Sequence, residues 1–154
     1  MAFPETEGFY IAEGGLEVQR QVAENAIEQA ASQFNFFIRG IARKRLRDSN
    51  PVYPDINLDY QNQSLSLSSG ADQLKIDGDH LEKFPFVTPK GLKVQVDQFV
   101  GPDKAKRVFH SKDGRREVVY RLTDKNTLLL VDIAIHSPSL YKPMSYQLRY
   151  RLNP

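Results

Sequence analysis

The chain has 154 residues, 40% of them hydrophobic and 26% charged, with a formal net charge of +2, which suits one folded domain, 1–154. It has no cysteine, which excludes disulfides, thiolate metal sites and a cysteine nucleophile. No apolar run approaches the roughly 20 residues of a membrane-spanning helix, and the opening MAFPETEGFYIAEGG has neither a basic n-region nor an apolar h-region, so the sequence reads as a cytoplasmic protein or as an exported domain after signal removal.

Residues 1–14 are aperiodic and read as an extended arm. Residues 16–47 read as one long helix. Val22, Ala26, Ile27, Ala30, Phe34, Phe37, Ile38 and Ile41 recur at three- and four-residue spacing, the signature of a single buried stripe. Glu17 and Glu24 lie early and Arg43 to Arg47 late, in the order that suits the helix dipole. Pro51 ends the pattern. On this projection Phe34 and Phe37 belong to the core, Phe36 points off the stripe beside Arg39 and Arg43, and Gly40 marks a kink or a close approach.

From residue 55 to residue 152 the period becomes two. INLDY, SLSLS, QLKID, LKVQVDQF, AKRVFHS, EVVYRLT, TLLLVDIAIH and MSYQLRYRL each read as a strand with one buried face. YQNQ, KDGR and TDKNT read as hairpin loops, Asp113-Gly114 being the strongest signal. SPSLYKP (137–143) and GDHLEKFPFVTPKG (78–91) read as longer loops. The expected class is therefore α+β, mainly β: one long N-terminal helix and about eight antiparallel strands. So many strands curl or close, which removes sticky edges, and the helix buries its stripe on them. A closed or half-open β-barrel of this kind is similar in architecture to calycin-type barrels. That resemblance implies carriage of a small hydrophobic molecule. The lipocalin Gly-x-Trp signature is absent, as the chain has no tryptophan.

The sequence offers little chemistry. His80, His110 and His136 lack the spacing of a metal-binding helix, so no metal is expected. No phosphate loop, dinucleotide fingerprint or Gly-x-Ser-x-Gly occurs, so no cofactor and no catalytic residue is assigned. Asp132 and His136 share a strand face but lie roughly 13 Å apart along it, within reach of Arg121 and Arg149 on neighbouring strands. Tyr120, Tyr146 and Tyr150 fall on apolar faces, where converging phenols would give an apolar space with a few polar tips.

Two basic stretches, 33–47 and 104–116, stand against an acidic start: residues 1–30 carry six glutamates and one basic residue, Arg20. Such asymmetry fits either two solvated charged faces or an anionic partner. The first expected function is a non-catalytic carrier of a small amphipathic, anionic molecule, bound by Tyr120, Tyr146, Tyr150, Arg121, Arg149 and His136. The alternative is docking to an anionic membrane surface or a protein through Phe36, Arg39, Arg43, Lys44 and Arg47. A small barrel enzyme using His136, Asp132 or His80 is the third. Nucleic acid is disfavoured, because the basic stretches are not interleaved with the aromatics that base stacking requires.

Overall fold

Ten strands form one antiparallel sheet in the computed structural model, which describes residues 6–61, 64–69, 72–77, 80–88, 91–101 and 104–154. In chain order they are β1 (Thr6–Ala12), β2 (Asp55–Gln61), β3 (Ser64–Ser69), β4 (Asp72–Asp77), β5 (His80–Val87), β6 (Lys93–Val100), β7 (Ala105–Ser111), β8 (Gly114–Thr123), β9 (Leu128–His136) and β10 (Met144–Leu152). Two helices, α1 (Leu16–Ala31) and α2 (Arg39–Ser49), connect β1 to β2.

The sheet order is β4-β3-β2-β1-β10-β9-β8-β7-β6-β5. Every strand thus pairs with its sequence neighbour except at one place, and β1 joins β10 to bring the two ends of the chain together. The exception is β4 and β5, which form the two free edges although only two residues separate them. Three trans peptide units span at most about 11 Å, so the sheet must curl until its edges approach at that corner. The result is an open, curled half-barrel.

Alternation sorts the wall into two faces. Tyr146, Ile133, Val118, Arg107 and Gln98 lie in register across β10, β9, β8, β7 and β6, and all are buried. Against this inner face lies α1, whose buried Ala23, Ala26, Ile27 and Ala30 join Tyr10, Leu58, Leu148 and Tyr150 in one core. Tyr120, Ile133, Ile135, Tyr146 and Leu148 belong to the same core as the buried residues of α1, and Leu46 of α2 is partly buried against it. Small side chains on α1 let its backbone approach the sheet closely. Gln19, also buried, seals the start of α1: its amide donates to the Glu13 carbonyl and accepts from the Arg149 amide.

The sequence expectation needs correction in three places. The single helix 16–47 is two helices, because side chains at the junction offer the backbone other partners. Ser32 donates to the Gln29 carbonyl, Asn35 accepts from the Phe37 amide, and Arg39 donates to the Phe34 and Ser32 carbonyls. Such local bonds compete with the helical ladder. The break puts the later half of the stripe out of phase. Phe37, read as core, is 89% exposed, and Gly40 sits in α2 with open space around it.

The second correction is that part of the extended arm 1–14 is strand β1. The third is that the 78–91 segment, read as a loop, contains β5. The alternation of β5 is masked by a register shift between Leu81 and Phe84, by Pro85, and by a left-handed Lys83 whose amide donates to Asp97. The YQNQ turn falls partly on residues 62–63, outside the described residues.

KDGR forms the β7–β8 turn as expected, with Gly114 at φ 140°. A Cβ there would also run into the His136 carbonyl oxygen. Gly114→Ala is therefore expected to lower stability by about 1–3 kcal/mol, the usual magnitude of local backbone strain, read as a lower urea midpoint with an unchanged m-value.

Candidate functional site

The antiparallel order decides what shares an end of the barrel. β5–β6, β7–β8 and β9–β10 all turn at the same end, and the α1–α2 junction lies there too. The tie is explicit: the Gln33 side-chain amide donates to the Lys142 carbonyl at 3.0 Å and accepts from the Lys142 amide at 2.9 Å. Gln33 leads out of α1, and Lys142 belongs to the β9–β10 loop.

This end carries most of the exposed large apolar side chains among the described residues. Phe36 and Phe37 are 77% and 89% exposed and meet each other edge to face. Ile38 and Ile41 extend the patch along the start of α2. Tyr141, 91% exposed, stands next to the Gln33 clamp, and Val87 and Leu92 flank the β5–β6 turn. Exposed Lys93, Lys112 and Lys142 lie in or beside the turns of this end, and exposed Lys44 and Arg45 follow Ile41 on α2, with Asp48 and Asp113 the carboxylates of the same segments.

The expected basic cluster divides by role. Arg39 is spent on the helix junction. Arg43 and Arg47 each grip a glutamate of α1 with two nitrogens, Glu28 and Glu24 respectively. These paired contacts hold α2 against α1, and the Arg47 hydrogen bond draws the Glu24 carboxyl below its ordinary range. Lys44 bonds Asp48 one turn on, in the open. Among the described residues Arg45 has no carboxylate partner. An exposed ion pair contributes at most about 1 kcal/mol, so Lys44 can exchange Asp48 for an external anion.

The residues assigned to a carrier site do not form one site. Tyr120, Tyr146 and Tyr150 share the inner core, and burial with the neighbouring phenols pushes the Tyr150 hydroxyl far up. Its proton goes to the Tyr53 carbonyl at 3.0 Å. Arg121, Arg149 and His136 lie on the other face of the same wall. There Arg121 bonds Asp132 at 2.6 Å, and the Arg149 and Arg151 guanidiniums approach Glu13. His136 is 3.9 Å from Glu117. Asp132 and His136 do not meet; Asp132 is taken by Arg121 and Gln147. His80 is exposed beside Glu82, and Asp79, its neighbour, lies outside the described residues. Among the described residues no group of three or more metal-ligating side chains forms.

Alternation alone missed the polar groups of the inner wall. Arg107 is 2% exposed; its Nε donates to Gln98 Oε1 at 2.7 Å, and burial lowers its pKa against the opposing influence of Tyr120. Arg116, on β8, points to the same side. The signal was present: Ala105, Arg107 and Phe109 alternate with Lys106, Val108 and His110, but a charge in the buried series hid it.

Two clefts of about 240 and 350 Å³ are the best formed among the described residues. The first is lined chiefly by outward-facing Glu117, Val119, Asp132, Ala134 and Ser145. The second lies along the β5 edge, beside Lys83, Asp97 and Lys106. No family model matches the chain, and no curated protein matches it at a significant level.

Proposed function

We propose that this protein is a peripheral module that docks on an anionic membrane surface through the helical end of its half-barrel. The carrying observation is the pair Phe36–Phe37, exposed at 77% and 89% on the junction between two helices. A folded domain gains nothing by displaying two phenylalanines side by side, and contiguous exposed apolar surface marks an interaction site. Charge points to an anionic surface: exposed lysines and Arg45 on the same segments outnumber the carboxylates there, Asp48 and Asp113. Apolar tips and cations on the same segments suit the boundary between acyl chains and anionic head groups, where each Lys or Arg adds about 1 kcal/mol.

Among the described residues no helix is long and apolar enough to cross a bilayer, and the reading requires none. Co-sedimentation with lipid vesicles tests it. Binding is expected to vesicles containing phosphatidylserine, to weaken as salt is added, and to be slight on pure phosphatidylcholine. No binding to either vesicle, or equal binding to both, would overturn the reading. Capture of a protein partner through the same aromatics, without lipid binding, would replace it.

A further inference from the structure

We infer that the inner wall beneath the end of α2 holds an anion-binding subsite, in which Arg116 and the Tyr146 hydroxyl grip the carboxylate or phosphate head of an amphipathic molecule. This does not depend on membrane docking.

The first observation is a buried hydroxyl without a well-formed bond. Tyr146 is 9% exposed, and no partner stands at good hydrogen-bond geometry to its oxygen, the Arg116 guanidinium being near enough to interact with it. A buried hydroxyl nearly always finds one, and leaving it unsatisfied is costly. Burial pushes its pKa up while Arg116 opposes the rise, so the phenol stays protonated and can donate, and the guanidinium lies within electrostatic reach.

The second observation is the state of Arg116. No carboxylate among the described residues pairs with it. Its Nε donates to Asn50 Oδ1 at 3.0 Å, and its guanidinium lies 6.0 Å from the centre of the Phe109 ring. Arg116 pairs with Ile135 on β9, and Ile135 with Met144 on β10, one inward position from Tyr146. Two long side chains, on strands flanking β9, thus lean toward the same space over Ile133 and Ile135. A guanidinium and a phenol are complementary to an oxyanion: one supplies charge and paired donors, the other a single donor.

α2 reaches this wall through Leu46, partly buried against the core, and through Asn50 beyond its end. It has no fully buried side chain, and the ion pairs holding it to α1 are largely exposed. Asn50, just past its end, is the group now bonded to Arg116. A head group that takes Asn50's place at Arg116 also satisfies Tyr146. An apolar tail would lie along the partly buried Phe109, whose ring neighbours the Arg116 guanidinium.

The test is titration of the 15N-labelled protein, followed by amide chemical shifts, with three probes: decanoate, decanol and inorganic phosphate. Decanoate is expected to give saturable shifts centred on β8, β10 and residue 50, with decanol and phosphate each weaker. Arg116→Gln is expected to weaken decanoate roughly 10-fold or more, and Tyr146→Phe several-fold, as befits charge-assisted bonds. Tyr146→Phe should melt close to the parent, because its hydroxyl has no well-formed bond to lose. Absence of saturable shifts, or decanol binding as well as decanoate, overturns the proposal. So does a Tyr146→Phe variant that binds undiminished. Should Arg116→Gln fail to fold, the decanol comparison and Tyr146→Phe still decide.

Discussion

Ile27→Ala is expected to cost about 2–5 kcal/mol of folding stability, whereas Phe37→Ala should stay within about 0.5 kcal/mol of the parent. Ile27 is 1% exposed and lies on α1 between Ala23, Ala26 and Ala30 in the main core. Truncation removes three methyl or methylene carbons from a site that cannot collapse, since the alanines around it already hold helix and sheet at close range. Dense packing of that kind leaves the cavity in place. Against a total stability of roughly 5–15 kcal/mol for a domain, the loss is large enough to read from a urea titration. Phe37 makes no comparable contribution, because most of its ring is in water. A larger loss for Phe37→Ala than for Ile27→Ala would mean that the helical junction packs inward and that the docking surface does not exist.

The second large effect concerns lipid. Phe36→Ser with Phe37→Ser should reduce binding to phosphatidylserine vesicles by roughly 100-fold or more. Burying a phenylalanine side chain is worth about 1.5–3 kcal/mol, and each 1.4 kcal/mol is tenfold in affinity. Lys142→Glu, on the loop clamped by Gln33, should weaken binding less but also flatten its salt dependence, as loss of a surface cation does. Both variants should keep the parent melting temperature, since the altered side chains are exposed. Unchanged vesicle binding by the double serine variant would move the contact elsewhere on the molecule.

How much of this was legible depended on whether a feature is periodic or topological. Eight strands were readable from alternation, AKRVFHS the weakest of them, and so was the apolar stripe of Ala26, Ile27 and Ala30. Phe36 was readable as an off-stripe aromatic. Its neighbour Phe37 was not, because a helical projection assumes an unbroken helix, and the Asn35 and Arg39 side-chain bonds that break it leave no mark on hydrophobic spacing. β1 was hidden because Phe9, Tyr10, Ile11 and Ala12 are apolar on both sides. β5 was hidden by Pro85 and its bulge. The grouping of Tyr141 and Leu92 with Phe36 follows only from strand order, which single-sequence periodicity does not encode. Arg116 needed both: its face from alternation, and its neighbour Tyr146 from the register of β8, β9 and β10.

The position of β1 has a consequence for assembly kinetics. Each of the other strands has a partner adjacent in sequence, so β2–β4 and β5–β10 can zip as local meanders. β1 has none. Tyr10 pairs with Ile56 across the whole helical insertion and with Leu152 near the far end of the sequence. Loops of that span close slowly, since their entropy is lost before any contact forms in return. During synthesis β1 can meet β2 once the helices are made, but its other edge must wait for β10. Until then the apolar face of α1 has no wall to cover. The step that seats β1 beside β10 is therefore expected to limit the folding rate, with amides of β1 and α1 gaining protection after those of β8–β10 in pulsed hydrogen exchange.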